Sequence, residues 1–354
     1  LCPTCVSGVW RFSEACASSV AKKSSFGHDA ALFALATTLD IWANLESDMT
    51  DLIIGHGSSA GGVGGSVEGL AKSLARIKAA GATHAELSTS SLHVTIGGRD
   101  NMARIAAVAK LCDASGLRFT LHAPIAINFM DEAHLALHQE VMQSSIRFAA
   151  AIGASVVVIH PGRVTPREDV AGRARLLRIE RDQVLAAADI AGRHGIRIGL
   201  ENLNPNRDMM AGLQTSYALD PAALAEQIAT IDHQAVCGVL DFAHGWLAAT
   251  RLRFDYAAHV RAFAPYVGHL HVTDNCGAPL TAVYVSDADH VPLGMGDLHL
   301  PIGWGTVPYD TLLADLPIRP GSIANLELGG AYASELEASI AATADIARRL
   351  NTGS

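Results

Sequence analysis

A (β/α)8 TIM barrel is the fold class this sequence predicts, on three observations. From residue 50 onward, eight short apolar runs alternate with Ala-rich, helix-like stretches. The runs are near-continuous in Val, Ile and Leu, as parallel strands buried on both faces must be. Most recur at roughly 30–40 residues, the length of one strand–helix unit.

The elements follow in order. Strands are expected at 52–55, 85–88, 118–122, 156–160, 196–201, 236–241, 267–272 and 323–328. Between them lie helical stretches at about 66–80, 101–115, 132–152, 169–194, 221–230, 255–264 and, last, 334–350. Gly81, Gly116, Gly153 and Gly195 each follow a helix and precede a strand, where a helix stop belongs. The interval before the eighth strand is longer and rich in Gly, Pro, Asp and His, the make-up of an active-site loop. The competing fold is a doubly wound sheet binding a dinucleotide. Gly55 to Gly65 lies in a strand-to-helix turn and Glu86 ends the next strand, but the glycine spacing misses G-x-G-x-x-G by one residue.

Composition narrows the function. The 354 residues are 49% hydrophobic and 17% charged, which excludes a disordered or fibrous chain. A net charge of −9 argues against a general nucleic-acid binder. No apolar stretch is long enough for a membrane helix. Cys2 and Cys5 form a lone C-x-x-C and the other four cysteines are scattered, so a reducing cytoplasm is the expected compartment. Residues 1–48 lack the pattern that follows and are expected to be an N-terminal extension outside a barrel domain at 49–354.

Position is the informative feature of the polar residues. His122, His160, Glu201 and Asp241 end the third to sixth strands, with His244 three residues beyond Asp241. The seventh carries His269 and His271, and the eighth Glu327. In a barrel these strand ends converge on one mouth. Three carboxylates ending buried strands cannot all stay ionised and unpaired around one axis, and none of these strands carries a Lys. A divalent cation resolves the conflict.

From about 50 to 350 the chain resembles the xylose-isomerase-like TIM barrels, the superfamily of sugar-phosphate isomerases and epimerases and of family-2 AP endonucleases. The matching motifs are Glu201-Asn202, the D-x-x-H of Asp241 and His244, the H-x-H of His269 and His271, Leu326-Glu327, and an acidic-His loop ending Leu-Gly-x-Gly, Asp289-His290 to Gly296. The resemblance implies a metal site of Glu201, Asp241, His271 and Glu327. His122, His160, His244 and His290 stand where the endonuclease branch places its additional histidines. That branch also has an Asp two residues before its loop His. This chain has Ala288 there, so Asp287 or Asp289 would have to substitute.

The expected function is therefore a divalent-metal-dependent sugar or sugar-phosphate isomerase or epimerase. Proton transfer would pass through a metal-stabilised enediolate, with Glu201 and Glu327 as the acid/base pair and His244 on a substrate oxygen. Arg163 and Arg207 are candidates to hold a phosphate or carboxylate. Three carboxylates and one His suit Mn²⁺, Mg²⁺ or Co²⁺, and a His-richer cluster suits Zn²⁺. The partner expected is a small carbohydrate; homo-oligomerisation stays open. A lyase, dehydratase or hydrolase on the same scaffold is the alternative. An AP endonuclease is another, although Gly277 to Gly305 contains no Lys or Arg to meet DNA.

Overall fold

Eight parallel strands close into one barrel in the computed structural model, each bonded to two neighbours, so that no barrel edge is left open. The structure describes residues 51–60, 65–281 and 289–353. In chain order the barrel strands are β1 (Ile53–Ser59), β2 (His84–Ser88), β3 (Arg118–His122), β4 (Ala154–Ile159), β5 (Arg197–Glu201), β6 (Val236–Asp241), β7 (Val267–Val272) and β8 (Ser322–Leu326). Pairing of β1 with both β2 and β8 excludes the open doubly wound sheet. The N-terminal segment 1–48, with Cys2 and Cys5, falls outside the described residues.

The principal helices are α1 (Val67–Ala79), α2 (Met102–Ser115), α3 (Leu135–Ala151), α4 (Pro166–Gly192), α5 (Pro221–Ile231), α6 (Phe242–Leu252), α7 (Tyr256–Phe263) and α8 (Leu336–Thr352). They bury one stripe each: α1 buries Leu70, Leu74 and Ile77, at helical spacing, and exposes the rest of its surface to a larger degree. Gly81, Gly116, Gly153 and Gly195 all take positive φ behind their helices. Helix α4 starts earlier than its apolar pattern suggests. Thr165 and Glu168 form a capping box and Pro166 occupies the first turn, so polar chemistry sets that end.

Two further elements depart from expectation. Strand β1 runs on through Gly55 and Gly57, which composition marks as loop. A Cβ on Gly55 would lie 2.1 Å from the His84 ring, and one on Gly57 would lie 2.3 Å from the His84 carbonyl oxygen. Glycine here lets β1 lie against β2. Helix α6 was not anticipated. It begins with no intervening loop, because Asp241, the last residue of β6, is itself the N-cap and accepts from His244 N–H at 2.7 Å.

Strand parity aims the functional side chains. Val156, Val158 and Val239 form their own buried cluster, whereas Val157, Ile159 and Leu240 join the large cluster that includes the helices. A Cβ on Gly199 would meet Val239 at 2.5 Å and Val156 at 3.3 Å, so Gly199 shares the inward face. Alternation then directs His160, Glu201 and Asp241 inward at the mouth. Among the described residues, no helix is long and apolar enough to cross a membrane.

Candidate metal centre and active site

Register brings the donors together. Asp241 and His271 are direct partners across β6 and β7, and His271 pairs with Asn325 across β7 and β8. Asn202, next to Glu201, ties β5 to β6: its Oδ1 accepts from Asp241 N–H and its Nδ2 donates to Asp241 O, both at 2.9 Å. The Glu-Asn motif thus supplies one donor and a clamp on the next.

Glu201 lies at the centre. Its Oε1 is 2.9 Å from His271 Nδ1, and its Oε2 is 3.3 Å from His122 Nε2 and 3.2 Å from His160 Nε2. His271 Nδ1 also lies 3.6 Å from Glu327 Oε2. Ligand-capable atoms of Glu201, Asp241, His271 and Glu327 all lie within 4.8 Å of one another. The same holds within His122, His160 and Glu201, and within His244, Asp297 and His299.

Backbone carbonyls orient three of the imidazoles. Nδ1–H of His122 donates to Ala123 O at 2.7 Å, that of His244 to Asn202 O at 3.0 Å, and that of His299 to Glu327 O at 2.8 Å. In each ring Nε2 is then left facing a carboxylate of the cluster, the arrangement that fixes a ligating tautomer.

The charges fit a divalent cation. Asp241 Oδ2 is buried without a hydrogen-bond partner. Burial first, against the pull of His244, and then the charges of Glu201, Asp297 and Glu327 push its carboxyl up to about 7. Burial disfavours the charged ring of His122, yet the hydrogen bond and charge of Glu201 prevail and raise it to about 9. Against the same burial, Asp297 raises His299 to about 10. Without a cation, protons must sit between these rings and carboxylates. A cation can replace them, and the mixed His and carboxylate donors are those that Zn²⁺, Mn²⁺ or Co²⁺ accept.

The centre floors a cavity of about 410 Å³ lined by His122, His160, Glu201, His244 and Glu327 together with Arg163. Arg163 donates to Ile125 O at its wall. Arg207 is exposed on a short helix (Arg207–Met210) and does not line the cavity. Nor does His290, which is buried on the short helix His290–Leu293. Its expected place is taken by His299, with Asp297 two residues before it. Asp287 and Ala288 lie outside the described residues. The signal was present as Asp297-Leu298-His299 followed by Gly303-x-Gly305, but it competed with the similar Asp289-His290 segment.

Glu86 was also missed as a site residue. It is buried at the cavity floor, accepts from Thr120 Oγ1 at 2.9 Å, and meets His269 Nε2 at 3.0 Å and His271 Nε2 at 3.1 Å. His271 therefore has one nitrogen toward the donor cluster and the other toward Glu86. A polar residue inside an apolar strand was the clue.

With this fold and site, the chain belongs to the xylose isomerase-like TIM barrel family, whose model matches residues 74–343. Among curated relatives it is similar to the probable endonuclease 4 of Bacillus velezensis. The two are 25% identical over 211 residues, which is 56% of this chain and 63% of that protein's length. Among solved structures, a D-tagatose 3-epimerase-like protein superposes with a TM-score of 0.63 at 22% identity, covering 84% of this chain and 98% of that one. A xylose isomerase-like TIM barrel protein from Mycobacterium smegmatis, in complex with magnesium, gives 0.55 at 16% identity, covering 81% and 90%. At these identities the structural likeness establishes the fold.

Proposed function

We propose that this chain is a divalent-metal-dependent isomerase or epimerase of a sugar or sugar phosphate. The observation that carries this reading is the group Glu201, Asp241, His271 and Glu327, of which Glu201 and Glu327 line a cavity sized for a small molecule. The epimerase-like neighbour supports the same reading. A cation held by that group would supply Lewis acidity to substrate carbonyl and hydroxyl oxygens. The chain's own residues do the rest. The Glu327 side chain is 16% exposed against 1% for Glu201, so Glu327 can reach a substrate carbon and take a proton from beside the carbonyl. His122, His160 and His244 face substrate hydroxyls along the wall, and Arg163 can hold a phosphate.

Glu201 is less free than the sequence suggests. With histidines on both its oxygens, it acts as the second proton-transfer group only if His122 or His160 releases Oε2. One-base isomerisation needs no such release; two-base epimerisation does. The test is incubation of ketoses and their phosphates with protein and Mn²⁺ in deuterated water. Solvent deuterium should appear beside the carbonyl and disappear in Glu327→Gln. A broad panel without exchange would count against the reading.

A second reading rests on two of the additional donor groups, His122, His160 and Glu201 with His244, Asp297 and His299, and on the endonuclease relative. Three cations there would neutralise a phosphoryl group, which suits metal-assisted phosphoester hydrolysis. Among the described residues, Arg163 is the one Lys or Arg that lines the cavity, a poor match to a duplex, so a small phosphoester is favoured over DNA. Chelator-sensitive cleavage of abasic-site DNA or of sugar phosphates, without deuterium exchange, would establish this second reading.

A further inference from the structure

Glu180 lies on α4, away from the cavity, and is only 1% exposed. A carboxylate buried this deeply needs compensation. It gets three donors: Gly162 N–H to Oε1 at 2.5 Å, and Tyr217 O–H at 2.5 Å and Gln227 Nε2 at 3.5 Å to Oε2. The first of these is the important one. Gly162 belongs to the turn His160-Pro161-Gly162-Arg163 that follows β4, which places His160 against Glu201 and Arg163 at the cavity wall.

That turn is held on every side. Ser216 Oγ donates to Gly162 O at 2.8 Å. Met130 packs so close that a Cβ on Gly162 would lie 2.3 Å from its Cγ. Asn128 accepts from Arg163 N–H at 3.2 Å and donates to Arg163 O at 2.7 Å. Pro161 has a fixed φ, so the pose of Gly162 is passed to the His160 backbone with little slack.

We propose that Glu180 is a positioning residue for this site: by accepting from Gly162 N–H it fixes the His160–Arg163 turn, and so sets His160 against Glu201 and Arg163 at the wall. The part concerning cations rests on the second reading above, in which the His122, His160 and Glu201 group holds an ion; the fixing of the turn does not.

The test uses the full chain with Glu180→Asp and Glu180→Gln. Asp keeps the charge but draws the acceptor back by one methylene. Gln keeps the reach: its carbonyl oxygen can accept from Gly162 and its amide can donate to Tyr217 Oη. Without metal, Asp should speed Gly162 amide exchange at least tenfold and shift the His160 ring resonances, while Gln stays near wild type. On Co²⁺ titration, Asp should weaken one class of bound ion by about 10–100-fold and leave the others unchanged. A structural role alone would lower the melting temperature and leave the His160 resonances in place. The proposal is overturned if Asp moves neither metal-free signal, or if Gln moves them as far as Asp does. If the wild-type chain binds no Co²⁺, the proposed function fails, and the metal-free signals still decide the role of Glu180.

Discussion

His244 Nε2 lies 3.1 Å from Asp297 Oδ2, a contact between residues 53 positions apart that joins the first turn of α6 to the long loop after β7. His299 Nε2 meets the same oxygen at 3.0 Å. One carboxylate thus gathers two imidazoles beside the Glu201 group and completes a third donor set.

Asp297→Ala should remove that set and little else. On the three-cation reading the expected outcome is one fewer ion per chain by metal analysis, with any ion of the Glu201 group retained. An unchanged count would separate Asp297 from metal binding.

Cation binding should expel protons. His122 and His299, raised to about 9 and about 10 in the cation-free protein, are protonated at pH 8 and must lose those protons to ligate. Calorimetric titration in two buffers of different ionisation enthalpy should therefore give different apparent heats. Equal heats would contradict this protonation pattern.

Asn202→Ala should loosen Asp241. It leaves a buried N–H and a buried carbonyl of Asp241 without their partner. The expected loss is about 1–3 kcal/mol of stability in denaturant unfolding, with metal affinity falling about 10–100-fold. Wild-type metal affinity in this variant would show that the clamp does not orient Asp241.

Glu180 gives a pH signature. Burial raises it from 4.5 to about 7 in the folded state, outweighing its hydrogen-bond donors. The folded state then holds the proton more tightly than the unfolded one. Its contribution is present in full below about pH 4.5 and is lost as pH rises through about 7. The shift corresponds to about 3 kcal/mol. Glu180→Gln removes this titration, so the stability of wild type minus variant should fall between pH 4.5 and 8. A pH-independent difference would refute the raised value.

What could be read from the sequence follows from where each residue lies. His122, Glu201 and Asp241 terminate short, mainly apolar strands, and a strand's direction fixes where its last side chain points, so a linear pattern was enough to bring them together. Asp297 and His299 lie on a loop whose path is set by bonds to Asp274, which accepts from Gly303, Gly305 and Val307 N–H. No periodicity announces such a path, and His290 was the natural misreading. Helix α6 carries no start signal of its own, because Asp241 serves as strand end and helix cap at once. Glu86 was visible only as a polar residue in an apolar strand, and its two histidine partners come from the far side of the barrel.

Glu201→Gln separates the site's structure from its chemistry. The amide keeps the side-chain shape but loses the charge that both donor groups share. The fold should survive by circular dichroism while turnover and metal loading are lost. Retained turnover would remove Glu201 from the centre.

The most direct measurement is metal analysis of the purified chain coupled to anomalous diffraction from its crystals. The account expects at least one divalent ion, with Glu201, Asp241, His271 and Glu327 as its ligands. A protein that binds no ion at saturating Mn²⁺, Co²⁺ or Zn²⁺, or one whose ion lies away from these four residues, would contradict it.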